Sequence, residues 1–179
     1  MPTTGAQICD HFHVEPAEFV AMSLPERALY RAAYAADVLK VVEVPRGSNC
    51  GPDVERYLRS VGVEPGEPWC AAFVSCMLLD SGAARASLPE EAASVHGWLD
   101  WATRNGFVRT SPARGYAGLI IEGPTTGHMV LVNGLLLSGV RTIEGNTNDD
   151  GSRDGYGVFR RSRVDSQFHC FVDLSGITS

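Results

Sequence analysis

The residue types that could carry out nucleophilic chemistry are concentrated in three short segments. Cys70 lies where a loop rich in Gly and Pro, residues 62–68, runs into an apolar helical stretch. At the first turn of a helix, free backbone N–H groups and the helix dipole favour both a thiolate and an oxyanion. Downstream, His128 opens a strand pattern, and Glu144 and Asn146 end the next one. A thiol, a histidine and a carboxylate or amide that orients it are the groups that cysteine acyl chemistry requires.

Each of these residues also has a purely structural interpretation. A free cysteine such as Cys70 is most often a small buried apolar residue, and His128 would also fit as a hydrogen-bonded core histidine. Glu144 and Asn146 would fit a simple turn. The combination of the three groups in one chain favours a nucleophilic site over three separate structural explanations.

The same three segments resemble the CHAP domain, the cysteine- and histidine-dependent amidohydrolase/peptidase module that belongs with the NlpC/P60 enzymes in the papain-like superfamily. The matching motifs are Trp-Cys-Ala-Ala-Phe-Val-Ser around Cys70, Gly-His at His128 and Ile-Glu-Gly-Asn around Glu144. Each motif is short, but together, in this order and spacing, they make the resemblance specific. It covers roughly residues 46–163.

Two further positions bear on the resemblance. The family often carries Asn-x-Gly ahead of the nucleophile, and Asn49 and Gly51 match that pattern. The family usually shows Gly-Asp before its first sheet strand, whereas here Gly115 is followed by Tyr116. That departure leaves the role of this one position open, and the position is not a catalytic one.

The resemblance implies hydrolysis of a peptide bond or amide in peptidoglycan. In such a mechanism Cys70 attacks the carbonyl as a thiolate, while His128 takes the thiol proton and later protonates the leaving amine. Glu144 orients the imidazole, and Asn146 is a second candidate for that role or a neighbour that fixes Glu144. The backbone N–H of Cys70 supplies half of an oxyanion hole. No metal or other cofactor is needed.

Three residues are candidates for contacting the substrate. Trp69 adjoins the nucleophile. Asn49 is a candidate for the second oxyanion donor, although a turn or cap would explain it equally well. Trp101 follows Trp98 by three residues, and a tryptophan pair can line a glycan groove, but aromatic residues at helical spacing are more often core.

Other reactive residue types have weaker claims to a site. Cys50 precedes Gly-Pro in a loop, and Cys76 lies about 120° around the helix from Cys70 and so points elsewhere. In an extended segment Cys9, His11 and His13 would share one face as metal ligands. We expect a solvated edge or mobile terminus there instead. The acidic residues of 149–154 lack the spacing of a known calcium loop, so we expect a solvated turn.

Composition limits the class of protein. The chain has 179 residues, enough for one domain, and no apolar stretch long enough to cross a membrane. Its formal net charge of −6 argues against binding nucleic acid. Five cysteines in no framework spacing indicate free thiols, and the N-terminus lacks the features of a signal peptide. We therefore expect synthesis in the cytoplasm.

Hydrophobic periodicity changes from helical to strand-like near residue 107. The patterns predict helices over 24–44, 53–60, 70–80 and 92–105 and strands over 117–122, 128–132, 140–144, 156–161 and 168–174. Helices followed by a mainly antiparallel sheet of about five to six strands predict an α+β fold. This order agrees with the papain-like topology that the resemblance implies. We expect one structural domain, with residues 1–45 packing on a CHAP-like catalytic part, residues 46–179.

If the candidate residues are to share one face of the sheet, the hairpin between them must meet one condition. Residues directly opposite in an antiparallel pair share a face, and the numbers of His128 with either Glu144 or Asn146 add to an even sum. A two-residue turn at 133–134 or at 138–139 gives an odd sum instead. We therefore predict an odd-length loop or a β-bulge, with 133–134 as the natural bulge site because Asn and Gly tolerate positive φ.

The leading hypothesis is a peptidoglycan amidase or endopeptidase. With neither export signal nor wall-binding domain, we expect delivery to the periplasm or cell wall of a target cell, as a phage lysin or as an injected antibacterial effector. An effector would need a cognate immunity protein, which we expect to cover the cleft over Cys70. The alternatives are a non-catalytic module that binds wall peptide or protein, and a cysteine amidase or protease with a non-wall substrate.

Overall fold

The computed structural model describes residues 3–148 and 155–179, which form six α-helices and a six-stranded antiparallel sheet. The helices are α1 (Gly5–Phe12), α2 (Pro16–Ala21), α3 (Leu24–Tyr34), α4 (Pro52–Ser60), α5 (Cys70–Asp80) and α6 (Val95–Asn105). The strands are β1 (Val108–Arg109), β2 (Ala117–Ile121), β3 (Gly127–Leu136), β4 (Gly139–Thr147), β5 (Gly157–Val164) and β6 (Cys170–Val172). The predicted α+β class, with helices before an antiparallel sheet, is confirmed.

The N-terminal segment is helical, so the expectation of a solvated edge or mobile terminus is wrong. Thr4 caps α1 by accepting a hydrogen bond from the backbone N–H of Gln7. One side of α1 buries Ile8 and Cys9 in a small apolar cluster that also holds Phe19 of α2. The alternation of residue types along this segment had suggested an extended chain, but burial of this face stabilises a helix. His11 and His13 remain exposed.

Helix α3 begins where the sequence predicts but ends ten residues earlier. The hydroxyl of Ser23 caps it, and Pro25 lies in its first turn. The helix then loosens into a π-helical turn over Ala35–Leu39, and Lys40 follows in the left-handed conformation. The start of α6 is corrected in a similar way, because Ser94 caps the helix at Val95.

Helix α5 is the central element of the fold. Residues Cys70 to Leu78 are all buried, since α5 packs against α3 and α4 on one side and against β3 and β4 on the other. Its one polar interior residue, Ser75, donates a hydrogen bond to the carbonyl of Ala92 at 2.7 Å. A helix that is apolar on all sides is the expected solution for this central position.

The sheet has the strand order β1-β6-β2-β3-β4-β5, and all the neighbouring pairs are antiparallel. One face packs on the helices and contributes Leu119, Met129, Leu131 and Ile143 to the main core. Strands β3 and β4 lie side by side in the sheet and both contact α5. No helix among the described residues is long and apolar enough to cross a bilayer.

The β3–β4 hairpin contains the predicted bulge. Its loop is the two residues 137–138, not either of the turns considered from the sequence, so Leu136 pairs with Gly139. The register then shifts between Val132 and Gly134. On the His128 side of that shift Val132 pairs with Thr142, so the numbers of two opposite residues again add to an even sum.

The bulge is stabilised by hydrogen bonds and not by the positive φ that the sequence predicts. Neither Asn133 nor Gly134 adopts positive φ. Instead, the guanidinium of Arg114 donates to the backbone carbonyl of Asn133 at 2.6 Å and to its Oδ1 at 3.0 Å. The consequence for the site is that His128 and Glu144 lie on the same face of the sheet.

Strand β4 approaches α5 so closely that Gly145 has no room for a side chain. A Cβ at this position would lie 2.7 Å from Cβ and Cγ of Phe73 and 2.8 Å from Cζ3 of Trp69. Both neighbours are fully buried aromatic residues and cannot move aside freely.

We expect Gly145→Ala to lower the free energy of unfolding by about 1–3 kcal/mol, because the methyl group overpacks the contact between β4 and α5. Denaturant unfolding followed by circular dichroism measures the change. Gly134→Ala is the matched control, since no atom lies within 4 Å of a Cβ there. Equal stability of the two variants would contradict the close approach.

Candidate active site

Cys70 is the first residue of α5, and its thiol is held among hydrogen-bond donors. The residue is 6% exposed, and the His128 ring and the backbone N–H groups of Met129 and Ala71 lie close enough to its sulfur to lower the pKa of the thiol. Burial raises the pKa of the thiol, but these donors and the charge of His128 outweigh burial. The net pKa of Cys70 is therefore below its ordinary value, as a nucleophilic thiolate requires.

His128, the second residue of β3, connects the thiol to a carboxylate. Its Nε2 lies 2.9 Å from Oε2 of Glu144, which leaves Nδ1 as the ring nitrogen for the thiol of Cys70. Burial lowers the pKa of His128, but its hydrogen bonds to Cys70 and Glu144 raise it to about 9. The lowered pKa of Cys70 and the raised pKa of His128 both favour a thiolate–imidazolium pair over a neutral thiol and imidazole.

Glu144 is completely buried and is clamped from two sides. Arg163 of β5 donates from Nε to Oε1 at 2.7 Å and from Nη2 to Oε2 at 2.6 Å, and the hydroxyl of Thr142 donates to Oε1. Burial raises the pKa of the carboxyl, but Arg163 and His128 lower it to about 2. Glu144 is thus ionised across the physiological pH range and fixes the orientation of the imidazole.

Sequence reasoning missed Thr142 and Arg163. Thr142 lies two residues before Glu144 in β4, so period-two alternation already places both on one face. Arg163 is opposite Val140 in the β4–β5 pair. That register cannot be read from β5 itself, which offers three arginines, at 160, 161 and 163.

Asn146 does not share the role of Glu144. It adopts positive φ of 53°, and its amide links two backbone groups: Oδ1 accepts from the N–H of Trp69 at 3.2 Å, and Nδ2 donates to the carbonyl of Gly155 at 3.1 Å. The structure therefore gives the imidazole-orienting position to Glu144. Asn146 instead fixes the backbone one residue before the nucleophile and also lines the cleft.

The indole of Trp69 is a support and not a substrate contact. It is fully buried, and its Nε1 donates to Oε1 of Glu43 at 2.8 Å. Glu43 is itself buried and also accepts from the N–H of Gly47 at 2.8 Å. The prediction that Trp69 contacts the substrate is corrected, because the ring packs beneath α5 against Tyr57 and Phe73.

The other two candidates for substrate contact lie in different surroundings. Asn49 lines the cleft, while its Nδ2 donates to the carbonyl of Gly66 at 3.2 Å. Trp101 packs between the rings of Trp98 and Phe107, with centroids 5.5 and 5.2 Å away, and does not line the cleft. The core interpretation of Trp101 therefore replaces the glycan groove.

The rival thiols are placed away from the site. Cys76 is fully buried beside Arg56, and burial raises its pKa to about 11 despite that neighbour. Cys50 is half-buried and does not line the cleft. The described residues contain no group of three or more His, Cys, Asp or Glu side chains arranged for a metal ion. Residues 149–154, which include the acids weighed for calcium, lie outside the described part.

Cys70 and His128 form the floor of a cleft of about 880 Å³. One wall consists of residues around Asn49 and the loop before α5, and the other consists of the segment before α6 with the β2–β3 connection. The described lining residues are Gly47, Asn49, Val61, Gly62, Val63, Glu67, Pro68, Glu90, Glu91, Ala92, Ala93, Ser94, Val95, Thr125, Thr126, Gly127, Asn146 and Gly155. A chain-like substrate could lie across this floor with a carbonyl near the thiol.

The arrangement suits acyl transfer. A thiolate at the start of a helix, an imidazolium within reach of it and an ionised carboxylate behind the imidazole are the parts of a cysteine hydrolase. The backbone N–H of Cys70 is free of an intrahelical partner at this position and can face a developing oxyanion.

Comparison of the chain with family models, with curated proteins and with solved structures gave no match.

We expect Arg163→Met to destabilise the protein by about 3–5 kcal/mol, because it leaves the buried Glu144 carboxylate without its cation. Arg160→Met is the matched control on the same strand. Arg160 pairs with Asp37 near the surface, so its loss should cost less than about 1 kcal/mol. Adding Glu144→Gln to Arg163→Met should restore part of the stability. Denaturant unfolding of the wild type, Glu144→Gln, Arg163→Met and the double variant measures the coupling. Independent, additive losses would contradict the clamp.

We expect iodoacetamide alkylation of Cys70 to set in at a lower pH than that of an ordinary cysteine, because the pKa of its thiol is lowered. In His128→Ala the onset should move to higher pH, since burial stays and the compensating imidazolium is lost. Peptide mapping by mass spectrometry in a Cys50→Ser background follows Cys70 alone. Identical profiles in the two proteins would contradict the ion pair.

Proposed function

We propose that this chain is a cysteine amidase or peptidase of the papain-like type that hydrolyses a peptide amide of peptidoglycan. The observation that carries the catalytic part is the placing of Cys70 and His128 together at the floor of an open cleft, with His128 bonded to the buried Glu144 at 2.9 Å. The peptidoglycan part is supported by the resemblance of the surrounding motifs to CHAP enzymes.

The acylation half-reaction uses the ion pair directly. The Cys70 thiolate attacks the amide carbonyl carbon, and the negative charge moves to the carbonyl oxygen, which the backbone N–H of Cys70 stabilises. As the carbon–nitrogen bond breaks, the His128 imidazolium gives its proton to the leaving amine. The products are a free amine and a thioester on Cys70, with a neutral imidazole.

The deacylation half-reaction reverses the roles. A water molecule attacks the thioester carbonyl while His128 takes one of its protons, so imidazolium forms again. Breaking the carbon–sulfur bond releases a carboxylic acid and restores the thiolate. Glu144 holds the imidazole in one orientation in both steps, and Arg163 keeps Glu144 ionised and fixed.

The acidic net charge favours a protein that is delivered to its substrate. Release as a phage lysin and injection as an antibacterial effector both fit this expectation. In the second case the producing cell would need an immunity protein. A segment of that protein inserted in the cleft would block access to Cys70 most directly. Action would then take place in the periplasm or cell wall of the target cell.

We expect purified sacculi treated with the wild-type protein to release new muropeptides, whose masses identify the bond that is cut. Cys70→Ala and His128→Ala should lower the rate by roughly 10⁴-fold or more, because each removes a group that takes part in bond breaking. Glu144→Gln should lower it less, by about 10²–10⁴-fold. Liquid chromatography with mass spectrometry follows the products.

The matched control is Cys50→Ser, which removes a more accessible thiol outside the cleft and should leave the rate unchanged. Fragments from wild type and Cys70→Ala alike would move the nucleophile away from Cys70. No fragments from several sacculus chemistries, together with cleavage of a protein substrate, would replace peptidoglycan by a non-wall amide. Binding to sacculi without any cleavage would support a non-catalytic module.

A further inference from the structure

The described residues that line the walls of the cleft carry side-chain charge of one sign. Glu67 lies on the wall before α5, and Glu90 and Glu91 lie on the wall before α6. All three glutamates are exposed residues. Among the described lining residues there is no lysine or arginine to balance them.

Acidic residues alone do not mark a site, but these three share a cleft with the reactive pair. Cys70 and His128 are each more than nine-tenths buried, and both still line the same cleft. The pair adds no net charge, whether it is a thiol with a neutral imidazole or a thiolate with an imidazolium. The field that a substrate meets on its way to the thiol is thus dominated by the glutamates.

The wall before α6 is held in place by hydrogen bonds. Arg85 donates to the carbonyl of Pro89 at 2.7 Å and to the carbonyl of Glu90 at 2.8 Å. On the far side of the two glutamates, the carbonyl of Ala92 accepts from Nε1 of Trp98 at 3.0 Å and from the hydroxyl of Ser75. The backbone that carries Glu90 and Glu91 is therefore anchored at both ends.

The opposite wall is anchored as well. Asn49 and Gly66 exchange two hydrogen bonds, from Nδ2 of Asn49 to the Gly66 carbonyl at 3.2 Å and from the Gly66 N–H to the Asn49 carbonyl at 3.1 Å. Glu67 follows Gly66 directly. The three glutamates thus line one cleft from two anchored segments, and acidic residues that line one cleft concentrate counter-ions in it.

We propose that this cleft selects amide substrates that carry a protonated primary amine close to the scissile bond, and that Glu67, Glu90 and Glu91 determine this preference. The inference rests on the proposed amidase function for its biological meaning. The amine could be a basic side chain or a free N-terminus, and both present the same –NH₃⁺ group. A carboxylate at the same place would be repelled by each of the three glutamates.

The charge preference can be measured at Cys70 without any turnover. Methanethiosulfonate reagents with a trimethylammonium-ethyl, a sulfonatoethyl or a neutral methyl group form a mixed disulfide with the thiolate and release methanesulfinate. In a Cys50→Ser background at low salt, we expect Cys70 to react roughly tenfold or more faster with the cationic than with the anionic reagent, after normalisation to the neutral one. High salt should reduce the ratio.

The variant Glu67→Gln/Glu90→Gln/Glu91→Gln should bring the ratio close to that of a small free thiol. Glu64→Gln is the matched control, because Glu64 is an exposed residue of the same loop as Glu67 and does not line the cleft. It should keep the wild-type ratio. Equal ratios in the triple variant and the wild type would overturn the proposal, as would an equal fall in the Glu64→Gln control.

Peptide substrates separate this inference from the proposed function. Matched peptides would carry a lysine side chain, an acetylated lysine, a free N-terminus or an acetylated N-terminus near the cleaved amide. Higher kcat/KM for an amine-bearing member, lost in the triple variant, supports the inference and tells side chain from N-terminus. Equal cleavage of all four overturns the inference and leaves the amidase function standing. A cationic preference in thiol labelling with no cleavage of any substrate contradicts the proposed function alone.

Discussion

The ion pair between Glu144 and Arg163 is the interaction on which the rest of the site depends. Glu144 has no exposed surface, so its charge is stable because the guanidinium of Arg163, the hydroxyl of Thr142 and the ring of His128 satisfy its oxygens. With both oxygens engaged, the carboxylate cannot turn away from His128. The imidazole is then held with one nitrogen on the carboxylate and the other on the thiol of Cys70. The Glu144–Arg163 ion pair in the sheet therefore fixes the ring of His128, and His128 in turn lies fixed beside the sulfur of Cys70.

The fold is arranged to bring two distant pieces of backbone to this pair. Helix α5 supplies the thiol from the middle of the core, and the adjacent strands β3 and β4 supply the histidine and the carboxylate. Two close contacts keep these elements in register: Gly145 against Phe73, and the amide of Asn146 on the N–H of Trp69. The buried bond from Trp69 to Glu43 then ties the start of α5 to the segment ahead of α4.

Much of this arrangement follows from local patterns in the sequence. The apolar run after Cys70 predicts a buried helix, and the parity of residue numbers requires either an odd-length loop or a bulge between His128 and Glu144. The structure has the bulge, between Val132 and Gly134. Longer-range pairing does not follow from such patterns. The choice of Arg163 depends on the β4–β5 register, and the burial of Trp69 depends on a carboxylate 26 residues away. The N-terminal helix was missed because alternating residue types suggested a strand, while tertiary burial of Ile8 and Cys9 decides for the helix.

Arg163 also determines the electrical balance of the proposed reaction cycle. Thiolate, imidazolium, carboxylate and guanidinium form a row of alternating charges whose total is zero. In the acyl-enzyme the thiolate and imidazolium have both become neutral, and the carboxylate and guanidinium still cancel. During each attack a new oxyanion is matched by an imidazolium. These groups together therefore carry no net charge at any stage, so the dipoles around them suit every intermediate and need little rearrangement between steps.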